Sequence, residues 1–233
     1  MSQYKALKQE AFDANMQLPT LGLVLFTFGN VSVVDRQNSV FAIKPSGVPY
    51  STLKADDIVI VDFEGNVVEG NKRPSSDTKT HAVLYKYWSG IGAIVHTHST
   101  YATAWAQAQR DIPILGTTHA DHLTVDVPCA PPMDDDMIQG DYELETGFQI
   151  MNEFKRRGYT YNDIEMVLLG NHAPFTWGKT GEKAVYNAAV LEEIARMAYV
   201  TCTINPSVSR LKEALIQKHF DRKHGANAYY GQK

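Results

Sequence analysis

Ala93-Ile94-Val95-His96-Thr97-His98-Ser99 is the stretch on which the fold turns. Its apolar, partly β-branched run after Gly92 predicts a buried strand from Ala93 to Thr97. Side chains on a strand alternate, so His96 and His98 are expected on one face, where two imidazoles can chelate one ion. A lone histidine in a strand is ordinarily a hydrogen-bonded core residue. Paired histidines leaving a buried strand would instead crowd two titratable rings together without a shared partner.

Upstream of this strand the sequence reads as a first amphipathic helix around Leu7, Ala11, Ala14 and Leu18, stopping at Pro19. Short apolar runs broken by Gly and Pro follow: Leu23 to Phe28, Val31 to Val34, Val40 to Ile43, Ile58 to Val61 and Val67 to Val68. Each predicts a strand of one sheet. Downstream of Pro74, helices and strands alternate: a helix from about Thr78 to Trp88, the strand at Ala93, a helix from Ala102 to Gln109, and a strand from Met166 to Leu169. A helix from Thr180 to about Cys202 closes the series, with Ala184, Ala188, Leu191, Ala195, Ala198 and Cys202 forming a core-facing stripe and Thr180 as its cap. No repeat, low-complexity tract or Gly/Ser linker divides residues 1–233. The expected fold is one α/β domain with a central, mixed, mainly antiparallel sheet covered by helices.

A chain of 233 residues with 44% apolar content can bury a sizeable core. Its formal charge of -4 supplies no basic field for nucleic acid or anionic lipid, so any anionic ligand must be held locally. The residues after Met1 are polar and charged, and no apolar run reaches about 18 residues. A soluble, cytoplasmic protein is expected. Cys129 and Cys202 are too few for a disulfide framework and read as reduced packing residues.

Two further groups carry chemistry. His172, in Leu169-Gly170-Asn171-His172, leaves an apolar strand and is a candidate third ligand. Asp77 precedes a helix, where it either caps the N-terminus or offers an oxygen to the metal. Three histidines and a carboxylate suit zinc, without excluding manganese or cobalt. The second group is Lys44-Pro45-Ser46-Gly47 after a strand and Ser75-Ser76 before a helix. Singly these are ordinary turn and cap chemistry; together they form a candidate phosphate cradle. Gly29-Asn30 marks either a close backbone approach to a ligand or a simple bend.

Read in order, Thr27-Phe28-Gly29-Asn30-Val31-Ser32, Lys44-Pro45-Ser46-Gly47, Pro74-Ser75-Ser76-Asp77-Thr78 and His96-Thr97-His98-Ser99 resemble the class II aldolases of the fuculose-phosphate aldolase superfamily. Gly116 to Asp121, Asn171 to Phe175 and Arg222 to Gln232 extend the likeness to the C-terminus, and within the superfamily the chain looks like the epimerase branch. The resemblance implies zinc at Asp77, His96, His98 and His172. It implies a sugar phosphate held by Gly29, Asn30, Ser46, Gly47, Ser75 and Ser76 with Lys44 close by, and Asp121 and Tyr230 as proton donor and acceptor. It also implies a homotetramer with active sites at subunit interfaces.

The implied reaction interconverts L-ribulose 5-phosphate and D-xylulose 5-phosphate. The inverted carbon is not adjacent to the carbonyl, so removing its C-H proton would leave an unstabilised carbanion. A retro-aldol cleavage, rotation of the aldehyde and re-formation of the bond achieves inversion instead, with metal-stabilised charge and two acid-base groups. The alternatives are an aldolase that releases its aldehyde, although that branch carries a glutamate where this chain has Asp77, and a non-catalytic adducin-like module.

Overall fold

A computed structural model describes residues 2–225 and 228–229. The chain opens with α1 (Lys5–Thr20), then lays down β1 (Asn30–Asp35), β2 (Val40–Ile43), β3 (Val59–Asp62) and β4 (Val67–Glu69). The helix α2 (Thr78–Tyr87) leads into β5 (Ala93–His96), followed by α3 (Thr100–Gln107), the short α4 (Thr117–Ala120) and β6 (Cys129–Ala130). The remainder comprises α5 (Asp135–Gln139), α6 (Tyr142–Arg157), β7 (Met166–Leu169), β8 (Pro174–Gly178), α7 (Gly181–Ile204) and α8 (Glu213–His224).

All eight strands join one sheet in the order β4-β3-β2-β1-β5-β8-β7-β6. Every neighbouring pair is antiparallel except β6 and β7, so the sheet is mixed and mainly antiparallel, as expected. The central strands are apolar at nearly every position because both faces are covered. Phe41, Ile43, Val59, Val61 and Ile94 point into a core shared with α2, α3, α6 and part of α7. Their sequence neighbours Val40, Ala42, Ile58, Ile60, Ala93 and Val95 point into a second core, with α1 and the first turns of α7. The α7 stripe is buried at Ala184, Ala188, Leu191, Ala195 and Ala198 but only partly at Cys202. Thr180 caps α7 by accepting the Lys183 amide at 3.1 Å.

Three expectations shift. Leu23 to Phe28 is not a strand. Leu23 and Val24 anchor it in the core, while Phe28 N–H closes a turn on Leu25 O and Phe26 takes a left-handed φ of 54° with 80% of its surface exposed. Helix α1 runs through Pro19 to Thr20. The strand at Ala93 ends at His96, so His98 lies just beyond the ladder. No helix among the described residues is long and apolar enough to cross a membrane, and both cysteines are free, Cys129 with its thiol pushed up by burial.

Candidate active site

The end of β5 and the β7–β8 turn meet where neighbouring strands deliver their loops. His96 is the last residue of β5 and pairs in register with Asn30 on one side and Phe175 on the other. Its ring stacks on Phe175 with centroids 4.2 Å apart. In the β7–β8 turn, Asn171 adopts φ 63°, its amide bonds Ala106 O and its side chain accepts from Gln109. This pins a tight turn, closed by His172 N–H on Leu169 O at 2.9 Å, and swings His172 toward β5.

The result is a three-histidine group, His96, His98 and His172, whose ligand atoms all lie within 4.8 Å of one another. The Nε2 atoms of His96 and His98 are 3.1 Å apart. Nδ1 of His96 faces the Pro174 carbonyl at 3.0 Å. A carbonyl only accepts, so the proton sits on Nδ1 and the Nε2 lone pair is left for an ion. Burial, reinforced by the neighbouring imidazoles, lowers His96 and His172 to about 3, and burial lowers His98 as well. All three therefore stay neutral, the form that ligates. The donor set fits a divalent cation of the zinc type.

Asp77 stands beside this group rather than within it. It occupies the N-cap position of α2 but its side chain caps nothing. Its Oδ2 instead accepts from Asn30 Nδ2 at 2.6 Å and lies 3.5 Å from Ser75 Oγ.

Of the anion-binding candidates, Lys44, Ser46, Asn30 and Ser75 lie on linked segments. Ser75 N–H donates to Lys44 O, Ser46 N–H to Arg73 O, and Asn30 Nδ2 to Ser75 Oγ at 3.1 Å. Gly29 has φ 71°, and a Cβ there would stand 2.7 Å from His96 O, so only glycine lets this turn press against β5. Lys44 is 2% exposed, donates to Thr27 O at 3.3 Å and has no carboxylate partner among the described residues. Burial lowers its ammonium to about 8. A buried, unpaired cation is costly unless an anion joins it.

Asp121 belongs to a different cluster. It follows α4, and its carboxylate accepts from Arg222 Nε and Nη2 at 2.9 and 2.7 Å and from His219 Nδ1 at 2.9 Å, all on α8. Burial alone would raise its pKa; the hydrogen bonds from Arg222 and His219 outweigh it and hold Asp121 at about 2. Its side-chain hydrogen bonds run to α8, whereas those of His96 and His172 run to the Pro174 carbonyl and to Tyr142. Tyr230 lies outside the described residues.

Two residues escaped the sequence reading. Tyr142, at the start of α6, brings its hydroxyl to 3.4 Å from His172 Nδ1, and Tyr50 bonds the Gly29 turn. Neither sits in a local pattern that marks it, since each arrives from a separate element.

A mainly antiparallel α/β sheet with three converging histidines beside a candidate anion-binding loop matches the architecture of the class II aldolases. The chain belongs to the class II aldolase and adducin N-terminal domain family, matched over residues 9–199, whose class II aldolases depend on divalent metal. It is 52% identical over 232 residues, 97% of this chain and 99% of the relative, to L-ribulose-5-phosphate 4-epimerase UlaF of Salmonella paratyphi B (strain ATCC BAA-1250 / SPB7). The same identity and coverage hold for the protein of that name from Salmonella typhi. A solved L-fuculose 1-phosphate aldolase superposes with a TM-score of 0.75 at 26% identity, covering 95% of this chain and 97% of that one.

Proposed function

We propose that the chain is an L-ribulose-5-phosphate 4-epimerase of 233 residues folded as one domain, dependent on a divalent cation, with zinc preferred. The observation that carries this reading is the adjacency of two unlike sites: neutral histidines grouped at the end of β5, and a buried lysine, with no carboxylate partner among the described residues, in a cradle tied to them through the neighbouring β1.

His96, His98 and His172 would hold the cation, with Asp77, fixed beside them by Asn30 through Oδ2, offering it an oxygen. A bound cation supplies Lewis-acid stabilisation of the negative charge that develops when the carbon-carbon bond breaks. Lys44, Ser46, Gly47, Ser75, Ser76, Gly29 and Asn30 grip the phosphate, so the aldehyde fragment can turn its other face without escaping. Asp121 and Tyr230 are the acid-base pair, one removing the hydroxyl proton during cleavage and the other supplying one on the opposite face.

Because Asp121 sits in its own cluster, a homotetramer with active sites between subunits is part of the proposal. Exposed Leu25, Phe26 and Phe28, and Tyr199 and Ile204 on α7, offer apolar surface for such contacts. A cytoplasmic location accords with the two free thiols.

The test is to incubate purified protein with L-ribulose 5-phosphate and follow D-xylulose 5-phosphate in a coupled assay, before and after chelation and on adding back zinc or manganese. Metal-dependent product is expected. No product in any metallated sample, with free aldehyde from other ketose phosphates, would make the chain an aldolase.

A further inference from the structure

Tyr50 lies on the loop after β2 and is only 6% exposed. Its hydroxyl meets two successive backbone carbonyls, Phe28 O at 3.1 Å and Gly29 O at 2.9 Å. Carbonyls only accept, so the phenolic proton is committed to this turn. Burial pushes the phenol above its ordinary value, which keeps that proton in place.

The consequence reaches the peptide amide. A trans peptide carries its N–H opposite its C=O, so drawing the Phe28 carbonyl toward Tyr50 turns the Gly29 N–H to the other side. The same tyrosine ring lies 4.7 Å from Lys44 Nζ, within the range in which an aromatic face attracts an ammonium. One side chain thus touches the glycine turn and the buried cation, which come from different segments. Since the Gly29 turn is pressed against His96 O, the position of Tyr50 also bears on the spacing between the cradle and the histidines.

We propose that Tyr50 is the positioning residue of the phosphate cradle, its hydroxyl orienting the Gly29 turn and its ring seating the Lys44 ammonium. This rests on the phosphate reading given under Proposed function and adds to it a residue that makes the grip without contacting the reacting carbons.

The experiment compares wild type, Tyr50→Phe and Tyr50→Leu for KM and kcat with L-ribulose 5-phosphate, the inhibition constant of inorganic phosphate, metal content and melting temperature. Tyr50→Phe should raise KM and the phosphate constant together by about tenfold, with kcat within about twofold and metal content unchanged. Tyr50→Leu, which also removes the ring, should raise both further. In parallel, inorganic phosphate should slow hydrogen exchange at the Gly29 amide of wild type. A Tyr50→Phe protein with a lower melting temperature but unaltered KM and phosphate constant would make the residue merely structural, and Gly29 exchange indifferent to phosphate in wild type would overturn its orienting role. If inorganic phosphate fails to compete with substrate in wild type, the cradle reading itself falls, and the role of Tyr50 with it.

Discussion

Asn30 donates to the Asp77 carboxylate at 2.6 Å, and this one bond joins the two halves of the site. Asn30 opens β1 opposite His96, while Asp77 opens α2 behind Ser75, so the strand carrying the anion loop and the helix start beside the histidines are held in register. A charge-assisted bond of this kind is among the stronger ones available to a neutral side chain.

Asn30→Ala should therefore affect both halves. Ser75 and Asp77 each lose a donor, and KM for the sugar phosphate should rise about tenfold or more, with kcat falling as well because Asp77 is no longer aimed. Steady-state kinetics with metal analysis on the same samples check this. Unchanged KM and kcat would mean that the bond is structural dressing.

Metal removal should abolish turnover, and zinc or manganese should restore it. Acid should act weakly on the loaded centre: an exposed histidine site loses its ion as pH falls through about 6.5, whereas His96 and His172 protonate only near 3. The metal-free chain is the acid-sensitive one. Its buried histidines are lowered, so the unfolded state binds more protons below about 6.5 and stability declines steadily with acid from there. Metal content and melting temperature between pH 4.5 and 7.5, with and without zinc, distinguish the two; release of metal near pH 6.5 contradicts the argument.

Much of this was legible in the chain because it depends on local periodicity. Uninterrupted runs such as Val40 to Ile43 and Met166 to Leu169, bounded by turn residues, read as strands covered on both faces, and the His96/His98 pair announces itself by spacing. Leu23 to Phe28 carries the apolar pattern of a strand without a partner to ladder with, and Phe26 and Phe28 lie on an exposed turn. The two-residue β6 carries too little pattern to register, and its pairing with β7 is the sheet's one parallel contact. Tyr142 and Tyr50 are invisible locally because their partners lie 30 and 21 residues away along the chain. The Asp121 cluster is long-range too: nothing near Asp121 foretells Arg222.

Lys44 sets the alkaline side of the activity. Burial lowers it to about 8 from 10.5, so below pH 8 it is a cation available to the phosphate and above pH 8 it is increasingly neutral. KM should be flat from pH 6.5 to 7.5 and climb above 8, approaching tenfold per unit for loss of a single required proton. Lys44→Met should raise KM about 100-fold and remove that climb. It should also stabilise the fold, because the lowered lysine makes wild-type stability rise between about pH 8 and 10.5, and a methionine there carries no charge to bury. A less stable Lys44→Met protein with normal KM would contradict both claims.

Asp121 offers the sharpest separation of structure from chemistry. Its carboxylate takes two bonds from Arg222 and one from His219, so Asp121→Asn should weaken the docking of α8. Bonds to charged groups contribute about 1.5–3 kcal/mol, which for a chain of this size lowers the melting temperature by roughly 3–12 °C. That stabilisation is present above the ordinary aspartate range and is lost as pH falls through about 2. If Asp121 also accepts the substrate's hydroxyl proton, turnover should drop about 100-fold or more while metal content is unchanged. Tyr230→Phe should show the same loss of turnover with normal metal content. Hydrogen exchange of α8 amides separates the two roles of Asp121: loosened amides with near-normal turnover would leave it a helix clamp and remove it from the chemistry, whereas a large loss of turnover with α8 still protected would place it at the reacting hydroxyl.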